Sequence, residues 1–146
     1  MKTASDPRHQ ARRLAAAYVY AKQNAKQQSY PGDDKNLIDT ILENLAIESY
    51  NKDLFREIID GVENDGPNLF ECISRNSIDW DIEKIYKMDL ALLLIAVFEI
   101  KQNKTPQKVV IDEAVELAKE FGENDSPKFV NGILAGVAKE NDHKSN

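Results

Sequence analysis

Nine consecutive residues, Leu90-Ala-Leu-Leu-Leu-Ile-Ala-Val-Phe98, carry no polar side chain on any face. Ile82, Ile85 and Met88 lead into this run at three-residue steps, which predicts a helix. A helix apolar on every side cannot lie on the surface, so the rest of the chain must wrap around it. It is also too short to leave the protein, because a bilayer crossing needs roughly 20 apolar residues. The run therefore demands a helical fold with one fully sheathed central helix and no membrane partner.

The chain has enough material for the wrapping. With 146 residues, 42% of them hydrophobic, it amounts to one domain. A chain of that size buries roughly 70% of its unfolded surface. Ser5-Asp6-Pro7 offers a cap and a first-turn proline, and no Gly or Pro follows until after Gln28. Ala11, Leu14, Ala15, Tyr18, Ala21 and Ala25 recur on one face of that first helix. After a turn at Tyr30-Pro31-Gly32-Asp33-Asp34, the stripe Leu37, Ile38, Ile41, Leu42 and Leu45 predicts a second helix. Leu54, Phe55, Ile58, Ile59 and Val62 predict a third, which Gly66-Pro67 is expected to stop, and a short fourth follows from Asn68 to Arg75. Beyond the central helix, Thr105-Pro106 breaks the chain. Val109 to Phe121 then turns Val110, Ala114, Leu117, Ala118 and Phe121 inward and Glu113, Glu116 and Glu120 outward. Gly122 stands at a C-cap position, and Ser126-Pro127 starts a last helix reaching about Glu140. Strand alternation and internal repeats are absent. The expected fold is all-α with six or seven helices. One domain, 1–146, has an N-terminal half at about 6–66, a C-terminal half at about 67–140 and a frayed tail at 141–146.

The charge is uneven. Residues 1–30 hold six Lys/Arg against one acid, and the remainder thirteen against twenty-four, for a net −6. A basic arm on an acidic body predicts two different contact surfaces, although a solvated charged helix fits the same count. On a helical wheel Arg8, Arg12, Lys22 and Lys26 lie within about 80° of one another, with Arg13 about 100° further round. Such an edge suits phosphates. Ala15 and Val19 share its middle, however, and cations also flank buried faces by snorkelling. Tyr18 belongs to the core face, which leaves Tyr20 as the aromatic placed to stack on a base.

Constellations for catalysis are missing. His9 and His143 lie near opposite ends, as exposed single residues. The acids 112, 113, 116 and 120 read as a solvated face rather than a cation site, and the glycines form no phosphate loop. Gly132-x-x-x-Gly136 marks close helix packing, and Cys72 reads as a small buried hydrophobe beside Phe70 and Ile73. A single cysteine rules out an internal disulfide and a cysteine metal cage. With no apolar leader segment in MKTASDPRHQARR, a reducing, cytoplasmic setting is expected. The expectation is a non-enzyme with no cofactor and no metal.

Several patterns resemble the NusB family of transcription antitermination factors. They run in order along most of the chain: Arg8-x-x-Ala11-Arg12-x-x-Ala15-x-x-x-Val19-Tyr20, Leu54-Phe55-x-x-Ile58-Ile59-x-Gly61-Val62, and Trp80-Asp-Ile-Glu-Lys-Ile85-x-x-Met88-Asp89-x-Ala91-Leu92-Leu93 with Ala96-x-Phe98-Glu99. Val109-x-Ile-Asp-Glu-Ala-Val-Glu-Leu-Ala-Lys-x-Phe-Gly122 and Ser126-x-Lys-Phe-Val-Asn-Gly-Ile-Leu134 complete the set. The resemblance implies a fold of two small helical bundles packed together. It further implies an RNA-binding factor that pairs with the ribosomal protein NusE and recognises single-stranded boxA-type RNA in nascent ribosomal RNA leaders. As a monomer or homodimer, it would assist the RNA polymerase elongation complex past terminators. Carried over by position, the RNA surface comprises Arg8, Arg12, Arg13, Tyr20, Asp125, Lys128 and Phe129, and the partner side comprises Asp89 and Glu99. Departures from the family pattern are Arg13 in place of Glu, Ala17 of Gln and Asp112 of Asn, with Leu90 and Leu94 at positions often held by arginine. Two rival readings are a targeting domain related to ribosomal RNA cytosine methyltransferases and a helical adaptor that binds only protein. The chain ends just after the domain and has no glycine-rich cofactor loop, which favours a free-standing factor.

Overall fold

A computed structural model describes residues 6–24, 34–77 and 81–144. The expected cap at Ser5, the continuation of the first helix through Ala25 and Lys26, the turn at residues 30–33, Trp80 and the last two residues of the tail lie outside them. Six α-helices form: α1 Pro7–Asn24, α2 Asp34–Asn44, α3 Lys52–Arg75, α4 Lys87–Gln102, α5 Gln107–Phe121 and α6 Ser126–Lys144. A short 3₁₀ turn, Ile82–Lys84, precedes α4. Among the described residues there is no strand.

The apolar run forms α4, and every residue from Ala91 to Val97 is buried. α1, α3, α5 and α6 all pack on it, so it is sheathed as its composition requires. α5 and α6 also pack against each other, and α1 packs on α2 and α3. Phe98 breaks the sheath, half-buried against Gly61 of α3, where a Cβ would meet the ring at about 2 Å. No helix of the described residues is long and apolar enough to cross a membrane.

Local signals explain most helix ends. Pro7 opens α1, and Asp6 Oδ1 accepts the Arg8 N–H at 3.0 Å. Asn51 caps α3 by accepting the Leu54 N–H at 2.9 Å. The expected stop at Gly66-Pro67 does not occur: α3 continues through Pro67 to Arg75, so the third and fourth predicted helices are one. A proline inside a helix costs about 3 kcal/mol. Beyond it, α3 buries Leu69, Cys72 and Ile73, and full burial of such side chains is worth about 1.5–3 kcal/mol each. Packing therefore outweighs the break. The proline and Glu63, four residues earlier, are both exposed, so water can serve the freed carbonyl. The division at 66 and 67 consequently falls inside a continuous helix.

Two glycines owe their places to space. Gly122 follows α5 as expected, but its φ is −93° and its backbone is extended, not left-handed. A Cβ there would lie 2.6 Å from the Ser126 side chain. Gly136 is similarly tight, with its Cβ position 2.4 Å from Asn76 Oδ1, whereas Gly132 faces open space. Backbone strain sits instead at Ala46, where φ is 55°. A left-handed residue with a Cβ costs roughly 1–2 kcal/mol. Ala46→Gly should therefore raise stability by a net of up to about 1 kcal/mol, read as a higher urea midpoint.

Candidate nucleic-acid interface

The first helix was expected to present its cations along one edge. Only part of that edge reaches solvent. Arg8 is exposed, but Arg12 is 3% exposed and its guanidinium lies inside the protein. Its Nε and one terminal nitrogen donate to the two oxygens of Glu99, each at 2.8 Å, a bidentate pair between α1 and α4. The other terminal nitrogen lies 3.7 Å from Glu113 of α5. His9 Nδ1 stands 2.8 Å from the remaining Glu113 oxygen and must donate to it, because a carboxylate only accepts. Burial opposes the Arg12 charge, but the hydrogen bonds to Glu99 and the fields of Glu99 and Glu113 outweigh it, raising the guanidinium above its ordinary value.

This network corrects four expectations. Arg12 is not on the RNA surface, and Glu99, 5% exposed, is not on a partner surface: each is consumed by the other. Glu113 points inward, whereas Asp112, Glu116 and Glu120 do face solvent. His9 is a part-buried bonded residue rather than an exposed single one. The signals were present in the sequence. Ala15 and Val19 share the angle of Arg12, and Glu113 lies three residues after Val110 and four before Leu117, on the buried stripe.

Arg13 occupies the next edge. Its Nε lies 3.1 Å from each Glu120 oxygen, one terminal nitrogen reaches Glu120 Oε2 at 2.7 Å, and the other donates to Gln10 Oε1 at 2.7 Å. Because Glu120 is the penultimate residue of α5, this pair ties α1 to the turn that leads into α6. Arg13 thus reaches the last turn of α5, the helix that precedes Asp125 and Lys128 in the chain. Asp125 and Lys128 are exposed, whereas Phe129 and Tyr20 are half-buried against the core. Tyr18 is in the core, edge-on to Phe55 at 5.8 Å. Burial, helped by Asp34, drives its hydroxyl well above the usual tyrosine range. Lys22 is held by Asp34 at 2.7 Å over the Tyr18 ring.

Asp89 also departs from expectation. It is 5% exposed at the start of α4, and its Oδ1 has no partner among the described residues. Burial raises its carboxyl above the ordinary value, opposed by the polar Ser126 side chain and reinforced by the charge of Glu123. It is therefore not a surface contact either. Leu90 beside it is half-buried and Leu94 buried, both packed as core residues.

The raised carboxyl has a measurable sign. The folded chain binds a proton at Asp89 more readily than the unfolded chain, so stability falls as pH rises from the ordinary carboxylate value through the raised one. Acidification through that window restores it. Exposed pairs run the other way: Arg75 lowers Glu140 and Lys104 lowers Glu57, and their contribution is lost as pH falls. Subtraction isolates the buried group. The stability difference between Asp89→Asn and the parent should widen in favour of the variant from roughly pH 4 to pH 7, followed by urea midpoints. A constant difference would count against the raised value.

Comparison with known proteins bears on the whole arrangement. Residues 9–139 match the family model described as the NusB family. The chain is 48% identical over 81 residues to the transcription antitermination protein NusB of Halothermothrix orenii, a match spanning 56% of this chain and 60% of that protein. It is 35% identical over 133 residues to the NusB of Sulfurimonas denitrificans, covering 91% of this chain and 97% of that one. Among solved structures it is similar to NusB of T. maritima, with a TM-score of 0.74 and 30% identity over 96% of this chain and 94% of that one. A structure of antitermination factors NusB and NusE in complex with double-stranded RNA shares the fold, with a TM-score of 0.70 at 20% identity, over 90% and 96% of the respective chains.

Proposed function

The chain belongs to the NusB family, and on that premise we propose that it is a non-enzymatic transcription antitermination factor. It binds single-stranded boxA-type RNA of nascent ribosomal leaders together with the ribosomal protein NusE. It acts in the cytoplasm beside the elongating RNA polymerase, as a monomer or a homodimer. The observation that carries this reading is the family match from residue 9 to residue 139, which takes in α1 from His9 onward and the start of α6. The likeness in fold to a NusB that forms a complex with NusE and RNA supports the choice of partners.

The RNA surface in this reading consists of Arg8 and Arg13 from α1 with Asp125, Lys128 and Phe129 from the α5–α6 corner, and Tyr20 further along α1. Arg8 and Lys128 present free charge to phosphates, and Asp125 can accept from a base amino group. Phosphate contacts set affinity and base contacts set preference. An acidic body suits a basic ribosomal partner by complementary field. With Arg12 buried, three cations remain, so the logarithm of affinity should fall with the logarithm of salt at a slope of about −2. Lys128→Ala should reduce that slope by about 0.7 and weaken binding to all sequences alike.

The deciding experiment is a gel shift with boxA-type RNA, with and without NusE. Binding that strengthens with NusE and weakens with salt is expected. No shift under any condition, with NusE bound, would leave a protein-only adaptor.

A further inference from the structure

Arg12 and Arg13 both pair with carboxylates, but only one of the two pairs opens cheaply. Arg12 is 3% exposed and Glu99 5%, so parting them would strand charge in the interior. The Arg13 side chain, by contrast, is 16% exposed and that of Glu120 36%. An exposed carboxylate that loses its partner is rehydrated, and pairs of this kind contribute little to stability. The bond between Arg13 and Glu120 can therefore be exchanged for another without disturbing the fold.

Its geometry shows what it can be exchanged for. Glu120 lies along one edge of the guanidinium: Nε is 3.1 Å from both oxygens, and a terminal nitrogen donates to Oε2 at 2.7 Å. Two donors of a planar fork facing two oxygens is also the arrangement in which arginine takes a phosphate. The other terminal nitrogen is anchored separately. It donates to Oε1 of the buried Gln10 at 2.7 Å and lies 3.4 Å from the Leu45 carbonyl oxygen. Departure of Glu120 thus leaves the guanidinium tethered at one end.

We propose that Glu120 is a built-in competitor of RNA: it occupies the Arg13 fork as a phosphate would, and a backbone phosphate displaces it when RNA binds. The proposal rests on the RNA reading above. It makes Glu120 a determinant of affinity that contacts no RNA itself. A carboxylate fixed on the neighbouring helix has the advantage over a phosphate arriving from solution, so the pair opens only for an RNA already seated by Arg8 and Lys128.

The test titrates the full chain, Glu120→Gln, Arg13→Ala and the double variant with boxA-type RNA in the presence of NusE, with circular dichroism confirming that each is folded. Glutamine keeps the size of the side chain and removes its charge. Glu120→Gln should therefore bind RNA about three- to fivefold more tightly than the parent, the most that an exposed pair withholds. Arg13→Ala should bind more weakly than the parent. On the Arg13→Ala background the Glu120→Gln change should gain less than about twofold, because no fork is left to release. An equal or larger gain on that background would mean that Glu120 acts by general repulsion of RNA, and the proposal falls. Unchanged or weaker binding by Glu120→Gln, where the parent binds RNA, would make the pair a structural tie between α1 and α5 and overturn the proposal alone. A parent that binds no RNA with NusE present would remove the RNA reading, and the proposal with it.

Discussion

Arg12→Ala should destabilise the protein by about 3–5 kcal/mol, the cost of removing one partner from a buried ion pair. Total stabilities of domains are about 5–15 kcal/mol, so the variant should unfold at much lower urea or be marginal at growth temperature. The physical cause is the two carboxylates left behind. Glu99, 5% exposed, loses both hydrogen bonds, and Glu113 loses the guanidinium charge 3.7 Å away. The pair itself is not a large source of stability, because the desolvation of both charges offsets most of their attraction. Arg12→Leu combined with Glu99→Leu should accordingly recover at least half of the loss. Equilibrium urea unfolding by circular dichroism separates these outcomes. If Arg12→Ala instead unfolded within 1 kcal/mol of the parent while losing RNA affinity, the guanidinium would have to be on the surface, and the buried network would be wrong.

A second large effect is expected in α4. Leu92 is fully buried where the central helix meets its neighbours, and Leu92→Ala should cost about 3–5 kcal/mol through lost transfer energy and the cavity that remains. Leu90, two residues earlier and half-buried, should cost about 1–2 kcal/mol when changed in the same way. The contrast is the informative quantity, since it compares one residue type on one helix. Equal losses at both positions would mean that α4 is not sheathed on the face that the structure assigns to Leu92.

These two predictions have different origins in the sequence. The need to bury α4 follows from Leu90–Phe98 alone, because no surface position tolerates nine apolar residues in succession. The helical stripes around it were equally legible: Leu14, Ile58, Leu117 and Leu134 are all fully or nearly fully buried. The expected helix end at Pro67 failed because a local penalty was weighed without the burial of Leu69, Cys72 and Ile73 that lies beyond it. Gly122 was placed at the right position for a different reason, since its value lies in the room it leaves for Ser126 rather than in a left-handed backbone.

The candidate site was less legible. Arg8 and Lys128 are exposed as expected, but the cations of α1 looked equivalent on a wheel and are not. A wheel gives the angle of a residue about its own helix and says nothing of what stands opposite. Arg12 and Arg13 are adjacent in the chain. One meets Glu99 and Glu113 in the interior, and the other meets Glu120 at the rim.

The sequence by itself determined the helical class, the central helix, the apolar stripes and the family. Each depends on periodicity or on the order of local patterns, which survive without knowledge of neighbours. Only the tertiary structure decided which charges are spent inside the protein. Pairing across 87 residues between Arg12 and Glu99, and across 107 between Arg13 and Glu120, depends on how α1, α4 and α5 pack. Charge availability is a property of that packing, because a buried ion must be matched by a partner, and the partner comes from another helix.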